Sequence, residues 1–181
     1  MKHPVTAAQV VQFWREAGPA KWFSKNDAFD RLFRETFHDA HSQAARVDLD
    51  AWMETAEGAL ALLILLDQFP RNAFRGTAHM FATDPLARRY ARQMLRDGLD
   101  RQVEPALRPF CYLPFEHSEN VDDQRLAVKL CEGLDAETLR FAVLHADIVE
   151  RFGRFPHRNA VLGRETTEEE ARFLAEGGFA G

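Results

Sequence analysis

Eight consecutive apolar residues, Ala59 to Leu66, end abruptly at Asp67. The run is far shorter than the ~20 residues that a membrane-spanning helix needs. It is apolar on nearly every side, so a helix formed by it must be central and buried. We therefore expect a core helix that begins at Asp48 or Asp50 and ends at Leu66, with amphipathic helices packed around it.

The rest of the chain is also predicted to be helical. Ala and Leu total 45 residues whereas Val and Ile total 12, and Ala and Leu favour helices while β-branched residues favour strands. Cap residues and apolar spacing indicate about seven helices joined by short loops. Their starts lie at or next to Thr6, Asn26, Asp48 or Asp50, Asp84, Asp122, Ala136 and Thr166 or Thr167. We predict a single all-α domain over residues 1–181.

Charge and cysteine content exclude several classes of function. The net charge of −5 argues against generic binding to nucleic acid or to an anionic membrane. Cys111 and Cys131 lie outside any Cys-x-x-Cys spacing, so we expect buried, reduced thiols and a cytoplasmic location. The chain does not open with the apolar core of a signal peptide. No feature indicates a cofactor or an oligomeric state.

Metal-binding patterns are weak. His38 and His41 lie one helical turn apart and could bind a divalent ion, but Asp39 and Ser42 around them are typical of a solvated face. Glycine-rich phosphate loops and the His-Glu-x-x-His motif are missing from the sequence. We therefore predict no metal site.

The segment Arg151–Arg164 carries four arginines, one histidine and no acidic residue. Its glycines and proline make it turn-rich, so guanidinium groups and backbone N–H groups there could converge on an oxyanion. The alternative is structural, with these arginines pairing with nearby acids to fix the packing of the last helix. Arg154, His157 and Arg158 are the side chains for which this distinction matters most.

Three further positions could carry chemistry. Asp67, at the end of the apolar run, is either a structural ion pair with a nearby Arg71 or a catalytic carboxylate. His117 and Glu119 could form a histidine–carboxylate pair for proton transfer, or could cap the helix that begins near Asp122. His145 lies on the apolar face of its predicted helix, as a core histidine or as a functional one.

Two stretches of the sequence echo each other. Phe69–Ala73 reads Phe-Pro-Arg-Asn-Ala, and Phe155–Ala160 reads the same with one inserted histidine. Both follow a helix that we expect to be buried. The echo is either a coincidence or a sign of two equivalent loops at helix exits.

The motifs collected above resemble those of the bacterial domain-of-unknown-function 924 family, over nearly the whole chain. The resemblance is carried by Phe13-Trp14, Trp22-Phe23, Leu65–Asn72, Tyr112–Phe115, His117–Glu119, Arg151–Asn159 and Leu162–Arg164. It implies an all-helical fold similar to that of tetratricopeptide repeats, with no established reaction, substrate or cofactor. Glu116 stands where the resemblance leads us to expect Met, which alters the local polarity.

We hypothesise that the polar motif positions line one pocket, which binds a small anionic molecule or the acidic end of a peptide. Arg154, Arg158 and Asn159 would hold the anion, and Asp67 and Glu119 would orient the cations. The predicted ligand-binding set is Asp67, Asn72, His117, Glu119, His145, Arg154, His157, Arg158 and Asn159. One alternative is an enzyme, such as a hydrolase, with His117, His157 or Asp67 as its catalytic candidates. The other is a scaffolding module with an exposed apolar groove.

Overall fold

A computed structural model describes residues 4–179 of the chain. Over these residues the protein is built from helices without a strand, so the predicted all-α class is confirmed. Eleven α-helical segments occur in the described range, several of them a single turn, which is more than the seven or so predicted. The likeness to tetratricopeptide repeats stays a prediction. No described helix has the length and apolar character needed to cross a membrane.

The helices follow one another along the chain with short 3-10 turns between them. They are α1 (Ala7–Ala17), α2 (Pro19–Trp22), α3 (Asp27–Ala45), α4 (Ala56–Leu63), α5 (Phe69–Ala73), α6 (Asp84–Arg96), α7 (Pro109–Glu116), α8 (Val121–Cys131), α9 (Ala136–Phe152), α10 (Asn159–Leu162) and α11 (Glu168–Ala175). The 3-10 turns are Asp50–Glu54, Ala78–Phe81, Asp100–Gln102 and Pro156–Arg158. The chain forms two compact units, the first comprising residues up to Arg75 with His79–Pro114, and the second Gly76–Ala78 with residues from Phe115 onward. The prediction of a single domain is neither confirmed nor contradicted by this division.

Local capping signals explain most helix ends. Thr6 caps α1 and Thr167 caps α11, each in a reciprocal capping box with the residue three positions later. The Asn26 side chain accepts the Phe29 N–H at the start of α3. Gly153 ends α9 in the left-handed conformation that glycine adopts without steric cost.

The predicted start of the core helix is wrong. The core helix begins at Ala56 rather than near Asp50, because residues 50–54 form a 3-10 turn and Thr55 is the cap. Gly58 packs so close to that turn that a Cβ would overlap the Trp52 carbonyl. The helix predicted to begin at or next to Asp122 starts at Val121, is capped by Asn120 and ends at Cys131.

Helix α7 was not predicted at all, because Pro114 lies inside it. Proline in a helix interior removes one backbone hydrogen bond and normally interrupts the helix. The predicted helix starts therefore include none here, where the structure has eight helical residues, of which the last two belong to the second unit.

The first unit is organised around α4 and its continuation, which contact α1, α3 and α6. Trp14, Phe33 and Phe69 are fully buried there. The Phe33 ring lies 5.4 Å from Trp14 and 5.2 Å from Phe69 between centroids, in tilted and edge-to-face geometry. Such contacts add stability beyond the area that they bury. The predicted central, buried helix is thus confirmed.

Between α4 and α5 the helix widens into a π-helical turn over residues 64–68. The Phe69 N–H donates to the Ile64 carbonyl, five residues back, instead of to Leu65. The Leu66 carbonyl accepts the Thr83 hydroxyl at 2.5 Å, and Pro70, four residues after Leu66, has no N–H to donate back into the turn.

Two more carbonyls of this turn depend on side chains. His41 Nδ1 lies 2.8 Å from the Leu65 carbonyl, and Arg71 Nη1 donates to the Asp67 carbonyl at 2.8 Å. A carbonyl can only accept, so His41 carries its hydrogen on Nδ1. Three carbonyl groups of the turn therefore accept hydrogen bonds from three side chains, which come from three different places in the sequence.

In the second unit α8 and α9 pack against each other and are joined by a four-residue connection. Ile148, Val149 and Phe155 form its buried apolar cluster, against which Phe173 and Phe179 pack. This arrangement brings the segment Arg151–Arg164 and the start of α11 together.

Candidate functional site

Three arginines of the segment Arg151–Arg164 are paired with carboxylates of the second unit, Arg151 with the exposed Glu169 and the other two in tighter pairs. Arg154 donates from Nε and Nη2 to the two carboxylate oxygens of Glu170, at 2.6 and 2.8 Å. Arg164 donates from Nη1 and Nη2 to Glu119, at 2.7 and 3.0 Å. Both pairs are bidentate, which a planar guanidinium allows and a lysine does not.

Asn159 joins these two ion pairs into one network. Its Nδ2 donates to Glu170 at 3.1 Å, and its Oδ1 accepts from Arg164 Nε at 3.0 Å. Below we use "loop network" for Glu119, Arg154, Asn159, Arg164 and Glu170. The network ties α10 and the preceding turn to the start of α11, as in the structural alternative.

The carboxylates of the loop network are held in the charged form. The hydrogen bond from Arg154 is the main cause that lowers the pKa of Glu170 to about 2. Burial alone would raise the pKa of Glu119, but hydrogen bonds from Arg164 and from the Phe155 N–H hold it below its ordinary value. The positive charges of Arg154 and Arg164 are therefore balanced within the network.

A second group of side chains surrounds His145 on α9. Its Nδ1 lies 2.8 Å from the Phe141 carbonyl oxygen and 3.1 Å from Glu116 Oε1. The His117 ring lies 6.3 Å away between centroids. His157 and Arg158 complete the group, being close enough to act electrostatically on His145. We call His117, His145, His157, Arg158 and Glu116 the imidazole cluster.

Aromatic rings form the walls of the imidazole cluster. Phe179 lies 4.6 Å from the His145 ring and 5.4 Å from the His157 ring between centroids. Phe155 packs on both imidazoles, at 5.5 and 5.6 Å, and the Arg158 guanidinium carbon lies 4.4 Å from the Phe155 centroid. These apolar walls lower the local polarity and strengthen electrostatic interactions inside the cluster.

His145 is neutral in this environment. Burial lowers its pKa to about 3, against a partial opposing effect of the hydrogen bond to Phe141, and His117, Arg158 and His157 lower it further. The three latter groups therefore each disfavour a positive charge on the His145 ring. Its side chain is 8% exposed.

Asp67 lies on the π-helical turn of the first unit and is buried. Its Oδ2 accepts from Gln68 Nε2 at 2.6 Å, and Arg71 Nη1 lies 3.2 Å from Oδ1. Arg71 also donates to both oxygens of Asp84, at 2.8 and 3.0 Å. The structural ion pair, one of the two alternatives for Asp67, is thus present.

Asn72 also belongs to the first unit. Its Nδ2 donates to Asp30 at 2.8 Å, and Arg75 donates to both Asp30 oxygens. The side chain borders a small polar cleft of about 220 Å³, which is lined by Asp27, Asp30, Arg31, Arg34, Asn72 and Ala73.

The described part of the chain offers no group of three or more His, Cys, Asp or Glu side chains arranged to hold a metal ion. His38 and His41, which carried the weak metal pattern, differ in environment, with His38 exposed and His41 buried beneath the π-helical turn. The absence of a metal and of a cofactor stays a prediction.

Comparisons with known proteins find matches over nearly the whole chain. The model of a family described as bacterial proteins of unknown function, DUF924, matches residues 10–178. The chain belongs to the DUF924 family. A solved structure from Agrobacterium tumefaciens, the protein of unknown function ATU0120, is 57% identical, with a TM-score of 0.93. The match covers 94% of this chain and 97% of that one. No curated protein matches.

The second unit of this DUF924 protein brings seven of the nine predicted ligand-binding residues into two adjoining groups. His117, His145, His157 and Arg158 lie in the imidazole cluster, and Glu119, Arg154 and Asn159 lie in the loop network. The charge of Arg158 also acts on Glu119, which links the two groups. Asp67 and Asn72 have their own partners in the first unit. The convergence of all nine residues on one pocket stays a prediction.

Three functional candidates in the DUF924 chain were missed. Glu116 was noted only as a departure from the family pattern, although it approaches His145 from 29 positions away in sequence. Arg164 and Glu170 are two of the five residues of the loop network, although neither is in the predicted ligand-binding set. No local sequence signal pairs these residues, because each pairing depends on how the helices pack.

Proposed function

We propose that the second unit binds a small anion, either a free oxyanion or the acidic end of a peptide, at the imidazole cluster. The observation that carries the proposal is the grouping of basic side chains around His145. The His117 ring lies 6.3 Å from it between centroids, and His157 and Arg158 pack on Phe155, which also contacts His145. A buried guanidinium and imidazole N–H groups are suited to oxyanions, and apolar walls strengthen such interactions.

The proposal differs in one respect from the expectation based on sequence. Arg154 and Asn159, expected to hold the anion directly, are engaged by Glu170. In the proposal they instead fix the backbone that carries His157 and Arg158. Arg158 becomes the principal anion-binding residue, and Glu119 orients Arg164.

Isothermal titration calorimetry with inorganic phosphate tests this function. Arg158→Lys keeps the charge but loses the planar fork, so we expect an affinity about 10-fold or more lower. Arg151→Lys is the matched control, because Arg151 lies 4.6 Å over the Phe152 ring in the same segment but pairs with exposed Glu169. Equal affinities in the two variants, or no phosphate binding by the natural protein, would refute the proposal.

An enzyme is the second candidate, favoured by the contact between Glu116 and His145. A carboxylate beside an imidazole is a common arrangement for acid–base catalysis. Because the pKa of His145 is lowered to about 3, proton transfer near neutral pH would fall to His117 or His157. Hydrolysis of p-nitrophenyl acetate and p-nitrophenyl phosphate that His117→Asn or His157→Asn abolishes would favour this candidate. Turnover unchanged in both variants would exclude these roles.

A scaffolding role would use the first unit. An open groove of about 610 Å³ there has a mainly apolar lining that includes Phe13 and Phe37. Nothing in the groove specifies a partner, so we rank this candidate below the other two.

A cytoplasmic location is part of the same proposal. It is supported by Cys111 and Cys131, both buried as free thiols, since reduced cysteines are typical of that compartment. The net charge of −5 supports a small anionic ligand at a local site and disfavours nucleic acid or a membrane as partner.

A further inference from the structure

The tautomer of His145 is fixed by the contacts of one ring nitrogen. Nδ1 faces two oxygens, the Phe141 carbonyl at 2.8 Å and Glu116 Oε1 at 3.1 Å. A backbone carbonyl has no hydrogen to donate, so the hydrogen of this contact must be on Nδ1. Glu116 reinforces the assignment, because a second acceptor beside Nδ1 disfavours a lone pair there.

Nε2 of the same ring is then a hydrogen-bond acceptor. The two nitrogens of an imidazole point away from each other, so Nε2 is turned away from the α9 backbone and from Glu116. Burial lowers the pKa of His145 to about 3, so Nε2 keeps its lone pair throughout the physiological range of pH. His117, Phe155 and Phe179 surround the ring.

This acceptor limits which anions suit the cluster. A fully deprotonated oxyanion placed against Nε2 would bring two lone pairs together without a hydrogen between them. An oxyanion that retains an O–H group can direct that hydrogen to Nε2 while its charged oxygens face Arg158. A buried polar group left without its partner is a strong basis for discrimination.

We propose that the ligand of the imidazole cluster is a small oxyanion that carries its own O–H donor, with His145 Nε2 as the specificity-determining acceptor and Glu116 as a positioning residue. Hydrogenphosphate and hydroxycarboxylates have this chemistry, whereas sulfate and simple carboxylates do not. The inference rests on the proposed function, because it specifies which anion the same site takes.

Hydrogenphosphate and sulfate provide a matched pair of probes. In mildly alkaline buffer both are mainly tetrahedral dianions, and only hydrogenphosphate has an O–H group. We expect calorimetric titration of the full chain to show hydrogenphosphate binding about 10-fold more tightly than sulfate. His145→Phe keeps an aromatic ring between Phe155 and Phe179, and should reduce the preference to near unity.

His41→Phe is the control for this experiment. His41 is also buried and also has Nδ1 against a backbone carbonyl, but it lies in the first unit. The variant should keep the full preference for hydrogenphosphate. Where His145→Phe does not fold, the ¹⁵N shifts of the natural protein test the same point, since Nδ1 should be protonated and Nε2 unprotonated.

The outcomes separate the two proposals. Equal binding of the two anions, or a protonated Nε2, overturns the inference and leaves the proposed function standing. Binding of neither anion overturns the proposed function and the inference with it.

Discussion

Arg71 joins two buried carboxylates of the first unit. It lies between Asp67 and Asp84 and also donates to the Asp67 carbonyl. Burial alone would lower the pKa of Arg71, but the charges of Asp67 and Asp84 raise it. The guanidinium therefore stays charged and neutralises its neighbours where water cannot.

Replacing Arg71 by Met should destabilise the protein by about 3–5 kcal/mol, because it deprives two buried carboxylates of a shared cation. The measurement is the free energy of unfolding in urea. Arg96→Met is the control, since Arg96 pairs with Asp97 on the surface, and should cost less than about 0.5 kcal/mol. Similar losses in the two variants would mean that the buried pairing contributes little.

The lowered pKa of His145 predicts how the stability of the protein depends on pH. Its pKa falls from 6.5 in the unfolded chain to about 3 in the folded one. Below about pH 6.5 the unfolded chain takes up a proton on this ring while the folded protein does not, so stability is lost as the pH falls toward the folded value. The loss should be about 1.4 kcal/mol per pH unit in that window.

His145→Phe removes this contribution. The difference in unfolding free energy between natural protein and variant should therefore change with pH between about 6 and 4, by about 1.4 kcal/mol per unit. Urea titrations at a series of pH values measure it. Two stability curves that stay parallel over this window would contradict the prediction.

At the scale of the element, Pro70 and Thr83 both affect the hydrogen bonding of the π-helical turn. Thr83 donates its hydroxyl to the Leu66 carbonyl, and Pro70 has no N–H that could bond the same carbonyl in α-helical register. Thr83→Val keeps the shape of the side chain and should cost about 1–3 kcal/mol, the cost of an unsatisfied buried acceptor. In a Pro70→Ala background the new N–H can bond Leu66, so the same substitution should cost less than half as much.

Thermal or urea unfolding of the four proteins in this double-mutant cycle gives the coupling energy. Thr36→Val is the control, because Thr36 also donates to a carbonyl, that of Leu32, on an exposed face of α3. It should have an effect near zero. Additive effects of Pro70→Ala and Thr83→Val would show that the two residues do not share the Leu66 carbonyl.

The two stretches of similar sequence, Phe69–Ala73 and Phe155–Ala160, form similar elements. Each begins a short helical turn with proline near its start. Asn72 donates to Asp30, which Arg75 also binds through both oxygens, and Asn159 donates to Glu170, which Arg154 binds in the same way. The shared pattern of an asparagine and an arginine on one carboxylate favours equivalent helix exits over coincidence.

Helix ends that are fixed by residues a few positions apart were predictable from the sequence. Helices that depend on contacts between distant segments were not. The cap at Thr6 was identified, and that of α11 was narrowed to Thr166 or Thr167, because donor and acceptor lie within three residues. Helix α7 was missed because the rule against interior proline is local, whereas tertiary packing overrides it at Pro114.

The sequence predicted which residues belong to the candidate site better than it predicted which of them pair with each other. The arginine-rich segment was found from its charge, yet its partners Glu119 and Glu170 follow from the packing of α9 and α11. The role of Glu116 requires α7 and α9 to meet, which no spacing in the sequence indicates.

At the scale of the whole molecule, the chain passes between the two units three times, the last time inside α7. Unfolding one unit would therefore have to end a continuous helix. We expect the units to unfold together, consistent with the single domain predicted from the sequence.

The two cysteines allow this expectation to be measured. Cys111 lies in the first unit and Cys131 in the second, both are buried, and burial raises the pKa of both thiols. In the variants Cys131→Ala and Cys111→Ala, the remaining thiol should become reactive at the same urea concentration. Two well-separated midpoints would mean that the units unfold independently.

The widened turn of the core helix has a consequence for how that helix is encoded. Two of its carbonyls accept hydrogen bonds from His41 and Thr83, which lie before and after the helix in the chain. A peptide of residues 56–73 contains Pro70 but neither of these donors, so in isolation it should break at Leu66. The shape of the most apolar helix thus depends on residues outside it, contributed by segments that precede and follow it in the chain.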